Sequence, residues 1–115
     1  MEYMLLIYEN EAEAAGRSPE EHKRFYGEYT EFTKGIVASG HFKAGAPLQG
    51  TSTATTLRSR GGKLLTTDGP FAETREQLGG YYIVEAKDLD EARAIAARLP
   101  TARTGSIEVR PVAKM

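Results

Sequence analysis

Two short segments of this chain are apolar on both faces. They are residues 3–9 (YMLLIYE) and 81–86 (YYIVEA). In the first, Tyr3, Leu5 and Ile7 point one way, and Met4, Leu6 and Tyr8 point the other. A strand that is apolar on both sides must be covered on both sides, so each belongs in the interior of a sheet. Between and after them lie two helices with clear start signals. Ser18-Pro19-Glu20-Glu21 is a capping box with proline at the first helical position. Phe25, Tyr29, Phe32 and Ile36 follow as one helical stripe, and Gly40 is the stop, so the spacing predicts a helix over about 19–39. Asp88-Leu89-Asp90-Glu91 opens the second helix, whose predicted buried stripe is Leu89, Ala92, Ile95, Ala96 and Leu99, ending before Pro100.

The remaining segments complete the order. Residues 10–17 read as a polar loop, 41–48 as a strand, and 49–53 as a turn-rich link. Residues 54–59 and 63–67 read as a hairpin around Arg60-Gly61-Gly62. Asp68-Gly69-Pro70-Phe71 closes it, and 70–78 is expected to form a short helical turn broken by Gly79-Gly80. The last strand, 106–112, alternates apolar and polar residues. The sequence thus predicts one α+β domain over 1–115, in the ferredoxin-like split-βαβ order with an inserted β-hairpin. That order puts the first and third core strands at the sheet centre, and these are the two segments that are apolar on both faces. Two helices cover only one face of such a sheet. The hairpin could cover part of the other, and a second copy could cover all of it, so a twofold homodimer with sheets face to face is expected.

A chain of 115 residues with net charge −1 has no overall basic field, which argues against nucleic acid and anionic membranes as partners. It has no cysteine, so disulfides, thiolate metal sites and a cysteine nucleophile are excluded. The apolar run near the N-terminus is too short for a signal or membrane segment, and a cytoplasmic protein is expected. Its two histidines stand 19 residues apart, without metal-ligand spacing. There is no Walker loop, GxGxxG run or nucleophile elbow, so neither cofactor nor metal is expected.

Two residues stand out chemically. His22, early in the first helix and three residues before Phe25, is the acid/base candidate, since imidazole changes charge near neutral pH. Its plainer reading is a histidine at the edge of the core. Asp68 is the carboxylate candidate. Near an imidazole it would orient the ring, and alone it would serve as a turn or cap residue. Arg58 could hold an anionic group, and Tyr8, at the end of a central strand, could line a pocket, as could Phe71. His41 is expected to be solvated near the end of the first helix.

The runs MEYMLLIYEN, TATTLRSRGGKLLTTDGPFAETREQLGGYYIVEAKDLDEA and GSIEVRPV resemble the DGPF-motif group of YCII-related proteins, over nearly the whole chain. The resemblance implies a dimeric α/β barrel of ferredoxin-like subunits. It also implies a wider superfamily that includes a dehydrochlorinase-type enzyme with a His–Asp pair, and a genomic link to sigma factors. His22 matches the superfamily's early helical histidine, whereas Asp68 belongs to the DGPF motif, which the enzyme members do not share. The chain then has two main functional readings. One is a cofactor-independent lyase, isomerase or hydrolase using His22 and Asp68, with Tyr8, Arg58 and Phe71 at the substrate. The other is a non-catalytic dimer that binds a small molecule or a sigma factor. In a third, Asp68-Gly69-Pro70-Phe71 only fixes the hairpin.

Overall fold

The fold is built on the pairing of β1 (Glu2–Glu9) with β5 (Gln77–Glu85), the antiparallel centre of a four-stranded sheet. A computed structural model describes all residues, 1–115. β2 (Phe42–Pro47) borders β5 and β6 (Ser106–Pro111) borders β1, giving the order β2-β5-β1-β6, the ferredoxin-like order expected. Register sets the two faces. Tyr3, Leu5 and Ile7 stand opposite Val84, Tyr82 and Gly80, while Met4 and Leu6 stand opposite Ile83 and Tyr81.

Helix α2 (Pro19–Ala38) and helix α3 (Leu89–Ala96) cover the first of these faces. Beneath them Leu5, Ile36, Val84 and Ala92 are fully buried, joined by Tyr3, Phe32, Ile95 and Leu99. The capping box of α2 is formed from both sides. Ser18 Oγ accepts from the Glu21 amide, and the Ser18 amide donates to Glu21 Oε1. Asp88 Oδ1 accepts from the Glu91 amide at the start of α3. On the other face Met4, Leu6, Tyr8 and Ile83 are only partly buried, and no element of the chain is layered on them.

Several local expectations are corrected. Residues 10–17 hold a short helix, α1 (Glu11–Ala15), because Asn10 Oδ1 caps it by accepting from the Glu13 amide. Residues 70–78 form no helix. β5 begins at Gln77 and continues through Gly79-Gly80, with Gly79 as the extra residue of a bulge opposite Ile7 and Tyr8. Gly80 serves close approach instead of ending a turn, since a Cβ on it would lie 3.0 Å from the Ala46 carbonyl oxygen. Leu89, the first residue of α3, faces solvent, and Leu99 is buried ahead of a 3-10 turn, Pro100–Arg103. His41 is partly exposed at the end of α2, where it was expected, and it also makes side-chain contacts there. Its Nδ1 lies 2.6 Å from Ser39 Oγ and its Nε2 3.4 Å from Glu91 Oε1, tying the end of α2 to α3.

The inserted hairpin, β3 (Thr55–Arg60) and β4 (Lys63–Asp68), forms its own two-stranded sheet. Every residue of it is exposed except Thr56, so it does not cover the open face of the main sheet. It stands out as an arm. The radius of gyration is 16.1 Å, against about 13 Å for a compact domain of this length. Its root is fastened. Glu11 accepts from the Thr51 amide and hydroxyl at 2.8 and 2.7 Å, Gln77 Oε1 accepts from the Glu11 amide at 2.9 Å, and Asn10 Nδ2 donates to the Arg75 carbonyl.

Packing and charge set how stability should respond to change. Leu5→Ala removes a fully buried side chain at the sheet centre, and urea denaturation should show a loss of about 3 kcal/mol. A Gly105→Ala change should be worse than an ordinary glycine substitution, because its Cβ would run into the Tyr8 carbonyl oxygen. The acid limb is set by three carboxyls held below their usual range. Glu21 is held by hydrogen bonds from Ser18, Glu85 by the N-terminal amine at 2.5 Å, and Glu91 by the Lys87 amide and then His41. A depressed folded pKa gives stability that is present above the unfolded value, about 4.3, and lost as pH falls through the folded one. Midpoints measured from pH 7 to pH 2 should therefore hold to about pH 4.5 and then fall. The fall should be shallower, from a lower starting value, in a variant with all three changed to Gln.

Candidate functional site

A cavity of about 970 Å³ lies between α2 and the sheet at β5 and the end of β2. Its helical wall runs along α2 through His22, Phe25, Tyr26, Tyr29, Thr33 and Val37, so that Phe25 and Tyr29 of the apolar stripe line the cavity while Phe32 and Ile36 are buried in the core. Its floor includes Ile7, Gly80 and Tyr82, and Glu9 enters from the end of β1. The lining is largely aromatic and aliphatic, with a few polar groups converging on it, the usual composition of a small-molecule pocket.

Tyr82 is held with its hydroxyl inward. Its ring packs edge-on against Phe32 at 5.3 Å and Phe42 at 6.3 Å. Gly45 makes room for it, since a Cβ there would sit 2.9 Å from the ring. Thr33 Oγ1 donates to the Tyr29 carbonyl, so it accepts from the Tyr82 hydroxyl at 2.7 Å. The oxygen of Tyr82 keeps a free lone pair for a ligand. Tyr29 bonds Thr101 through its hydroxyl at 2.6 Å. Burial pushes the Tyr29 phenol up, with the Thr101 hydrogen bond offsetting part of this, so it stays a neutral hydroxyl.

At one end, Arg17 Nη2 pairs with Glu9 Oε2 at 3.0 Å and the guanidinium lies 4.2 Å from the centroid of the Phe25 ring. It therefore joins the end of β1 to the first turns of α2. His22 is on the second turn of α2, exposed at the cavity's rim and placed there by the capping box.

Of the residues singled out in the sequence, only His22 lines this cavity. Asp68 lines a separate one of about 380 Å³ at the root of the arm, with Thr51, Gly69, Pro70 and Gln77. Gly69 there takes φ 109°, which a side chain would strain, and its amide bonds the Ala54 carbonyl at 2.7 Å. Within one chain the two candidates thus share no cavity. Tyr8 is on the open sheet face, Arg58 is on the exposed arm with one hydrogen bond at 3.4 Å to the Phe71 carbonyl, and Phe71 is 76% exposed beyond both cavities. The residues that sequence reasoning missed are Glu9, Arg17, Thr33 and Tyr82. The signal for Thr33, the one of these on α2, was its place next to Phe32 of the apolar stripe. Glu9 carried none, as a charged residue ending a strand. Nothing in the chain groups three or more metal-ligating side chains, and no helix is long and apolar enough to cross a membrane.

Comparison with known proteins agrees with this architecture. A solved structure of 5-chloro-2-hydroxyhydroquinone dehydrochlorinase from Burkholderia phenoliruptrix, in complex with 2,5-dihydroxybenzoquinone, superposes with a TM-score of 0.53. It covers 98% of this chain and 94% of that one at 14% identity, which is a likeness of fold. An uncharacterised protein of Rhizobium meliloti is 40% identical over 115 residues, 98% of this chain and 93% of that protein. The model of the YCII-related domain matches residues 1–115, and the chain belongs to the YCII-related family.

Proposed function

We propose that the protein is a homodimeric, cofactor-independent enzyme that moves protons on a small organic substrate, with His22 as its acid/base. One observation carries this reading. A histidine and a carboxylate, His22 and Glu9, line the same apolar cavity from two different elements, with no other carboxylate among its lining residues. Glu9 takes the place in the pair that the sequence offered to Asp68. Elimination or isomerisation suits such a pair, because one group removes a proton while the other supplies one. In an elimination, the base takes a proton from the substrate, its electron pair forms the new double bond, and the leaving group departs with its own bonding pair and is protonated. The likeness of fold to a dehydrochlorinase supports a reaction of this class. The apolar wall would seat the body of a small organic substrate, while His22 at the rim and Glu9 at the strand end face its polar groups.

The homodimer rests on the open face. Met4, Leu6 and Ile83 leave an apolar sheet surface that a second copy covers by stacking sheet on sheet at about 10 Å.

Two experiments test these statements. Against a panel of small halogenated and hydroxylated rings, His22→Ala should lower kcat/KM by about 10²–10⁴-fold, with its melting temperature unchanged because the side chain is exposed. Glu9→Gln should act similarly, and an unchanged rate in His22→Ala would remove the histidine from the mechanism. Leu6→Asp should turn a dimer into a monomer in sedimentation velocity, and a wild-type chain that sediments as a monomer at high concentration would contradict the dimer.

A further inference from the structure

We propose that the β3–β4 arm is a dimerisation limb that lies along a second copy of this chain. The inference rests on the homodimer reading and goes beyond it, because sheet stacking alone leaves the arm unoccupied. Three observations favour a second copy as the occupant.

The first is the arm's own chemistry. Its register sets Leu57 and Leu64 on one face, and Arg58, Leu65, Arg60 and Lys63 on the other. Leu57 and Leu64 are 58% and 68% exposed. A two-stranded hairpin with an uncovered apolar face is marginal in water, yet this one is held rigidly at its root by Glu11, Asn10 and Gln77. A limb built and fastened in this way needs an occupant that is present whenever the chain is folded.

The second is charge. The arm carries Arg58, Arg60 and Lys63 against Asp68, a net of +2, while the whole chain is −1, so the rest of the chain is −3. On the open sheet face Glu85 is paired with the N-terminal amine and Glu108 with Arg110, which leaves Glu2 as its unpaired carboxylate, so the attraction comes from the net −3 of the body as a whole. The arm of one copy is therefore attracted to the body of another.

The third is area. Four strands and about seven residues make an open face of roughly 19 by 23 Å, about 440 Å². A standard interface takes about 800 Å² from each partner. One face of the arm adds roughly 200 Å², and the contact then approaches the size of a stable dimer.

Hydrogen exchange over a concentration series, read beside sedimentation equilibrium, tests the proposal. Amides of residues 55–68 should gain protection in step with dimer formation. Leu57→Asp with Leu64→Asp should raise the dimer Kd at least about tenfold. Arg58→Glu with Lys63→Glu leaves the apolar face of the arm intact and should also raise it, with the effect shrinking in high salt. A dimer whose arm exchanges as fast as in the monomer, and whose Kd neither variant moves, overturns the limb while leaving the homodimer standing. A chain that stays monomeric overturns both. Arm protection that appears only when a different protein is added also overturns the proposal.

Discussion

The structure depends on one antiparallel pairing, β1 against β5, in which both strands are apolar on both sides. The pleat divides their side chains between two faces. One face takes α2 and α3 and becomes the core around Leu5, Ile36 and Val84, and the other face is left apolar and open. A one-residue slip of this pairing would send Leu5 and Ile7 to the open face and Leu6 into the core. Past Ile7 a bulge inserts Gly79 of β5 into this pairing, while the register of β1 with β6 runs on unbroken to Tyr8.

The architecture was legible in the sequence where a local signal and a tertiary need coincided. The α2 capping box, the stripe ending at Ile36 and the two-sided strands each state in a few residues what the whole fold requires. Legibility failed where one residue type serves two purposes. Gly79-Gly80 reads as a break, but here Gly79 forms a bulge and Gly80 lets two backbones approach within a sheet. Pro70 reads as a helix start, but the segment after it is a bent loop tied down by Asn10 reaching the Arg75 carbonyl, a contact across 65 positions. Leu89 fits the apolar stripe of α3, yet at the first helical position it projects past the sheet into solvent.

The site was half legible. His22 carries an intrinsic signal, because imidazole among apolar helical residues is chemically conspicuous. Its surroundings carry none, since Glu9, Arg17 and Thr33 are ordinary polar residues until topology brings the end of β1 beside the start of α2. Asp68 shows the converse. Its motif is conspicuous in sequence, and in one chain it is spent on the root of the arm, where Gly69 provides the turn.

Glu11 grips Thr51 at the arm's base, and it stands two residues after Glu9 on the same corner of the chain. Arm and cavity therefore share a fulcrum. The residue that fastens the arm and the residue that brings a carboxylate to the cavity are thus two positions apart on one corner of the chain.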